Sequence, residues 1–163
     1  MKILFVCTGN ICRSAMAEGI LKDKLRNRNL TDEVDSAGFE KFHIGDPPDE
    51  RAIETAGKHG VDIRGLRARL FTPADFDRFD KIYIMDSWHY ENMMNMARDE
   101  HDESKVDYIM NVVYPGRNII VKDPWYNGIQ SFEDVYVQLN GACEKIAEMV
   151  ENNSSLLKSK KNS

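Results

Sequence analysis

Cys7 is followed six positions later by Arg13 and then by Ser14, with Thr8-Gly9-Asn10-Ile11-Cys12 between them. A thiol and a guanidinium at opposite ends of a short loop point to one chemistry. Thiols beside a cation or at a helix N-terminus favour the thiolate, which is the attacking form. Arginine presents a planar, two-pronged donor to the oxygens of a phosphate-like dianion. Neither Gly-x-Gly-x-x-Gly nor the Lys-bearing phosphate loop occurs in this stretch. A lone cysteine is by default a small buried hydrophobe. The arginine spacing and the local context lift Cys7 above that default.

Such a loop needs rigid neighbours. Ile3 to Val6 is an uninterrupted apolar run ended by a Gly-containing turn, which reads as a strand buried on both faces. From about Ser14 to Arg28 a helix follows, with Ala17, Ile20, Leu21 and Leu25 at helical spacing. Lys22, Lys24, Arg26 and Arg28 load its later turns. Strand, loop and helix start together form a cradle of backbone N–H groups at the positive end of a helix dipole, suited to an oxyanion.

The rest of the chain alternates in the same way. Val34–Ala37 reads as a second strand, 38–48 as a loop, and Asp49–His59 as a helix stopped by Gly60. Thr72 is expected to cap a helix with Pro73 in its first turn. Lys81–Met85 reads as a buried strand, Ser87–Ala97 as a helix, and Val106–Val113 as holding a further short strand. Phe132, Val135, Tyr136, Leu139, Cys143, Ile146 and Val150 form the apolar stripe of a long last helix. The expectation is an α/β fold: one domain over residues 1–150, a twisted parallel sheet with helices on both faces, and a phosphate-binding loop after the first strand. Residues 151–163 are polar and read as a frayed tail.

Composition narrows the function. With 163 residues, 42 % hydrophobic and 30 % charged, the chain suits one ordinary globular domain. A net charge of −5 argues against a general nucleic-acid binder. No apolar run reaches the roughly 18 residues of a membrane span, and the N-terminus lacks the pattern of a signal peptide. Three cysteines do not make a disulfide framework, so a reducing cytoplasm is the expected compartment. His43, His59, His89 and His101 show no metal-ligand spacing with Cys7 and Cys12, and neither metal nor cofactor is expected.

Val6-Cys7-Thr8-Gly9-Asn10-Ile11-Cys12-Arg13-Ser14 resembles the signature loop of the low-molecular-weight protein tyrosine phosphatases. The resemblance continues through Asp35-Ser36-Ala37-Gly38, Ile44-Gly45-Asp46-Pro47-Pro48-Asp49, Arg67-Ala68-Arg69, Phe79-Asp80 to Met85-Asp86, and Asp123-Pro124-Trp125-Tyr126. It implies a metal-free cysteinyl-phosphate mechanism acting on phosphotyrosine proteins and small aryl phosphates. By that resemblance Cys7 is the nucleophile, Arg13 the clamp on the transition state, and Asp123 the general acid. Thr8 to Ser14 hold the phosphate or another oxyanion. Ser14 supports the thiolate, and Asn10 and Ser36 brace the loop. On its own, Asp123-Pro124 is merely a turn signal.

Two residues keep two readings. Cys12 either traps oxidised Cys7 as a disulfide or packs beneath the loop. Asp86 either steadies Arg13 or caps the helix after its strand. Phe42, His43, Trp125 and Tyr126 are expected to wall the substrate pocket. Leu66 stands where the family often has His, which predicts a missing branch in the network behind Asn10. Two rivals are a thiol-dependent arsenate reductase, which needs a relay of resolving thiols, and a non-catalytic oxyanion-binding module, which has no use for Asp123. The bland alternative is a flavodoxin-like domain with an idle cysteine.

Overall fold

Strand β1 (Lys2–Cys7) occupies an interior position of a four-stranded sheet, because its apolar run can be buried on both faces. In this computed structural model, which describes residues 1–163, β1 is flanked by β2 (Glu33–Gly38) and β3 (Lys81–Ile84), and β4 (Val106–Tyr108) pairs with β3. The order is β2-β1-β3-β4 and every pairing is parallel. Phe5 lies beside Ser36 on one side and Tyr83 on the other, and Cys7 lies beside Gly38.

Strand periodicity divides the core in two. Ile3, Phe5 and Cys7 belong to the larger cluster, with α1 (Arg13–Asn27), α2 (Glu50–Lys58) and α6 (Gly128–Lys161). Leu4 and Val6 belong to the other, with Phe76 of α3 (Ala74–Arg78), Phe79 and Met93 of α4 (Ser87–Met96). Helices therefore cover both faces, and the α/β reading holds. The chain leaves β1 for β2 on one side and later crosses to β3 on the other. The loops at the carboxyl ends of β1 and β3 diverge there, at the position where open α/β sheets bind ligands.

The structure departs from the sequence reading in four places. The strand expected within Val106–Val113 spans only Val106–Tyr108 and passes into a 3-10 turn, Ile109–Val112. Thr72 does not cap α3 with its side chain; instead Asp75 reaches back and accepts the Thr72 N–H at 2.9 Å. A short helix α5 (Glu100–Ser104), capped by Asp99, was hidden in a charged stretch without an apolar stripe. The segment 151–163 is not a frayed tail: α6 runs on to Lys161, although no residue beyond Val150 is buried. It contains no Gly or Pro, Glu151 pairs with Arg28 of α1 at 3.3 Å, and Lys158, Lys160 and Lys161 complement the dipole in the last turn.

Candidate active site

The loop leaving β1 turns sharply at Asn10, whose φ of 58° places it in the left-handed region that Asn tolerates better than most residues. Gly38 makes room for that turn. A Cβ there would lie 2.8 Å from the Thr8 carbonyl oxygen and 3.0 Å from the Asn10 nitrogen. Helix α1 then starts at Arg13 with no capping side chain and no acidic residue in its first turn. Its first N–H groups are thus left to the loop and to whatever anion the loop receives.

Behind the loop, hydrogen bonds branch outward from Asn10. Asn10 Nδ2 donates to Ser14 Oγ and to Ser36 Oγ, each at 2.8 Å, while Asn10 Oδ1 accepts the Arg69 N–H at 3.0 Å. Ser36 Oγ donates to Glu18 Oε1 at 2.6 Å, and Lys22 pairs with the other carboxylate oxygen of Glu18. Ser14 Oγ, already accepting from Asn10, lies 2.9 Å from Cys7 Sγ, within hydrogen-bond reach. The branch expected to be missing at Leu66 leaves nothing unsatisfied, because both donors and the acceptor of Asn10 are engaged.

Arg13 is held just as firmly. Its side chain is 3 % exposed, and Nη1 donates to Asp86 Oδ2 and to the Val121 carbonyl, each at 2.9 Å. Asp86 fills both of its expected roles, because its Oδ1 also accepts the His89 N–H at 3.0 Å and caps α4. Burial pushes the Asp86 carboxyl up, but the His89 N–H and Arg13 outweigh it and hold the group below the usual carboxylate range. Arg13 Nη2 lies 3.7 Å from Asp123 Oδ2 and 3.4 Å from Thr8 Oγ1.

Asp123 reaches the same cavity from a long connection. Two anchors bracket it. Val121 N–H donates to the Met85 carbonyl at 2.8 Å, and Arg51 Nη1 donates to the Trp125 carbonyl at 2.9 Å. Arg51 is bound in turn by Asp49, the cap of α2, whose backbone N–H donates to the Ile11 carbonyl at 2.9 Å. The guanidinium also lies over the Trp125 and Phe132 rings, at 5.3 and 4.6 Å. One arginine thus ties the Asp123 segment to the loop that follows β1.

The cavity is about 310 Å³. Cys7, Thr8, Gly9, Ile11, Cys12 and Arg13 form its floor, with Asp123, Trp125, Tyr126, His43 and Glu40 around it. Asn10, Ser14, Ser36 and Asp86 stand behind that surface as supports. Phe42 is a correction. It is 84 % exposed and does not line the cavity, because the turn at residues 41–45 seats His43 over Gly9 and sends Phe42 outward. Glu40 in the wall, Glu18 and His89 behind the loop, and Arg51 escaped the sequence reading. Only Arg51 had a local signal, as the second residue after a helix-capping Asp. Cys143 packs in the core, with its thiol against the Ala17 carbonyl at 3.6 Å and burial pushing it up to about 12. No three His, Cys, Asp or Glu side chains are grouped to hold a metal ion.

Comparison with known proteins agrees with this geometry. Residues 2–156 match the family model described as low molecular weight phosphotyrosine protein phosphatase. The Schizosaccharomyces pombe low molecular weight phosphotyrosine protein phosphatase is 38 % identical over 142 residues, covering 85 % of this chain and 90 % of its own. A protein tyrosine phosphatase crystal structure from Entamoeba histolytica, with Hepes in the active site, superposes with a TM-score of 0.86 at 31 % identity, covering 94 % of this chain and 99 % of its own. Vibrio vulnificus Wzb in complex with benzylphosphonate gives 0.80 at 28 % identity, covering 91 % and 97 %. On sequence and fold alike, this chain belongs to the low molecular weight phosphotyrosine protein phosphatases and is a hydrolase of that kind.

Proposed function

We propose that the chain removes phosphate from phosphotyrosine in proteins, and from small aryl phosphates, through a phosphocysteine formed on Cys7 and without a metal ion. The observation that carries this reading is the convergence of Cys7 Sγ, Arg13 and Asp123 on one cavity, with Ser14 Oγ 2.9 Å from the sulfur. In the first step Cys7 Sγ attacks phosphorus, and Asp123 gives its proton to the departing phenolic oxygen. Arg13 and the loop N–H groups bind the equatorial oxygens as charge spreads onto them. In the second step Asp123, now a carboxylate, takes a proton from water as that water attacks phosphorus. Cys7 leaves as a thiolate stabilised by Ser14. Trp125 and Tyr126, with Tyr126 86 % exposed at the mouth, offer flat surfaces to a phenyl ring.

The test compares the parent with Cys7→Ser on an aryl phosphate in the presence of a chelator. The parent turns over and Cys7→Ser does not, yet the variant still binds phosphate. Activity in Cys7→Ser, or its loss from the parent on chelation, would overturn the mechanism.

Cys12 is assigned a redox role in the same scheme. Peroxide converts the Cys7 thiolate to a sulfenic acid with release of hydroxide; Cys12 then attacks that sulfur, expelling water and closing a Cys7–Cys12 disulfide. Burial and the neighbouring Cys7 sulfur push the Cys12 thiol up, so Cys12 brings its own proton to the hydroxyl it expels. Peptide mapping after mild oxidation should recover this cross-link, and its absence would leave Cys12 as packing. The three free thiols suit a reducing cytoplasm.

A further inference from the structure

His89 is 0 % exposed, more deeply buried than any other histidine in the chain, and the mechanism above makes no use of it. Its ring lies between Phe39, stacked at 5.7 Å, and Trp88, edge-on at 5.8 Å. Both nitrogens are engaged. The Met85 backbone N–H points at Nδ1 from 3.3 Å, and Nε2 lies 2.9 Å from Thr8 Oγ1. A backbone N–H can only donate, so Nδ1 is the unprotonated nitrogen and the ring proton sits on Nε2. Two charged groups face the ring. Asp86 Oδ1 is 3.4 Å from Nδ1 but already accepts the His89 backbone N–H, and Arg13, bonded to Asp86, brings its Nη2 to 3.4 Å from the same Thr8 oxygen. Burial first, and then the Arg13 charge, push His89 down to about 4, against the pull of Asp86. The ring is therefore neutral at ordinary pH.

The consequence falls on Thr8. Its hydroxyl oxygen receives the His89 Nε2 proton at 2.9 Å and faces an Arg13 Nη2 proton at 3.4 Å. With both lone pairs taken up, the hydroxyl's own proton must go elsewhere. Thr8 lines the floor of the cavity beside Cys7 and Arg13, where an oxyanion is the available acceptor. We propose that His89 is a positioning residue, orienting the Thr8 hydroxyl as a fixed donor to a phosphoryl oxygen in addition to the loop N–H groups and Arg13. Ser14 is placed in a comparable way, accepting from Asn10 with the Cys7 sulfur 2.9 Å from its hydroxyl.

This inference rests on the phosphate reading of the cavity, and its test separates the two. Orthovanadate and inorganic phosphate are titrated by calorimetry against parent, Thr8→Val, Thr8→Ser, His89→Gln, His89→Leu and the double variant Thr8→Val/His89→Leu. Thr8→Val keeps the shape and loses the donor, and it should weaken both anions about 10- to 100-fold, the range for a hydrogen bond to a charged acceptor. Thr8→Ser should recover most of that loss. His89→Gln, whose amide can still donate toward Thr8, should bind more tightly than His89→Leu. In the Thr8→Val background, His89→Leu should add nothing further. Equal binding by Thr8→Val and parent would overturn the proposal while leaving the phosphatase reading intact. So would a His89→Leu loss that is undiminished in the double variant, which would mark His89 as structural only. Failure of the parent to bind either anion would overturn both readings. Thr8→Val removes a part-buried hydroxyl and leaves the His89 Nε2–H without its acceptor, so Thr8→Ser, which keeps that acceptor, holds the test open even if Thr8→Val or His89→Leu does not fold.

Discussion

In the loop that follows β1, every polar atom of the Asn10 side chain has a partner, Arg13 is almost fully enclosed, and the bonds that branch from Asn10 reach Cys7 through Ser14 and Glu18 through Ser36, all buried. The Asp123 segment, a few ångströms away, is built differently. Asp123 has a side chain that is 44 % exposed, caps the Trp125 N–H at 3.1 Å, and depends on anchors at Val121 and Trp125 for its position. The half of the site proposed to hold a doubly charged group is fixed by the fold. The half proposed to move a proton and then admit water is hung from two points. Changes in the first half should therefore alter anion binding and stability, and changes in the second should alter proton transfer alone.

Asp123→Asn breaks that contrast most severely. It should cost roughly 10²–10⁴-fold in kcat for phenyl phosphate, the range for general acid catalysis. The loss should shrink as the leaving group becomes more acidic, since such groups depart without a proton. Inhibition by inorganic phosphate should barely change. A loss that is the same for every leaving group would remove Asp123 from the acid's role, and Glu40 in the cavity wall would be tested next.

On the rigid side the expected effect concerns stability and acts through His89. An unfolded histidine titrates near ~6.5, and in the folded chain burial and Arg13 push this one down to about 4. The folded pKa is the lower one, so the unfolded state binds the proton first as pH falls. The stabilisation from burying the neutral ring is complete above ~6.5, declines between ~6.5 and about 4, and is gone below that. From pH 7 to pH 5 this one group should remove about 2 kcal/mol. Urea unfolding at pH 5, 6 and 7 measures it, and His89→Gln should flatten the dependence. An equal slope in that variant would place the acid sensitivity elsewhere.

The same contrast explains what the sequence made legible. The cradle is contiguous, Cys7 to Ser14, between a strand with a clear apolar run and a helix with a clear stripe, so residue types and spacing exposed it. The long α6 was equally plain through its stripe up to Val150. Its extension to Lys161 was not, because helical propensity without burial leaves no periodic signal. Asp123, standing alone, looked like any Asp-Pro turn, and only the family resemblance singled it out. Glu18 and His89 were beyond reach for a different reason, and the capping Asp49 that flags Arg51 says nothing of what Arg51 reaches. Their partners lie 18 (Ser36), 81 (Thr8) and 74 (Trp125) positions away, and only the topology of β2, β3 and the last loop brings them together. Phe42 was misplaced because a turn, unlike a strand or helix, has no fixed alternation to say which side chain faces inward.

Arg51 joins the two halves, and it offers the smallest and most selective change. It stands outside the cavity lining and reaches the acid only through the Trp125 carbonyl, at 2.9 Å, and the Trp125 ring. Arg51→Met keeps much of the apolar stem against Phe132 and removes the donor. One part-exposed hydrogen bond and a cation–π contact together are worth about 1 kcal/mol, so kcat should fall roughly 3- to 10-fold for phenyl phosphate. If Arg51 acts by placing Asp123, that loss should fade with acidic leaving groups, as in Asp123→Asn. It should also largely vanish when Asp123→Asn is already present. Phosphate affinity should hold, because Asp49 still caps α2 and its backbone N–H still binds the Ile11 carbonyl. A fall in phosphate affinity matching the fall in kcat would instead show that Arg51 supports the cradle, and that the two halves of the site are less independent than their hydrogen bonds suggest.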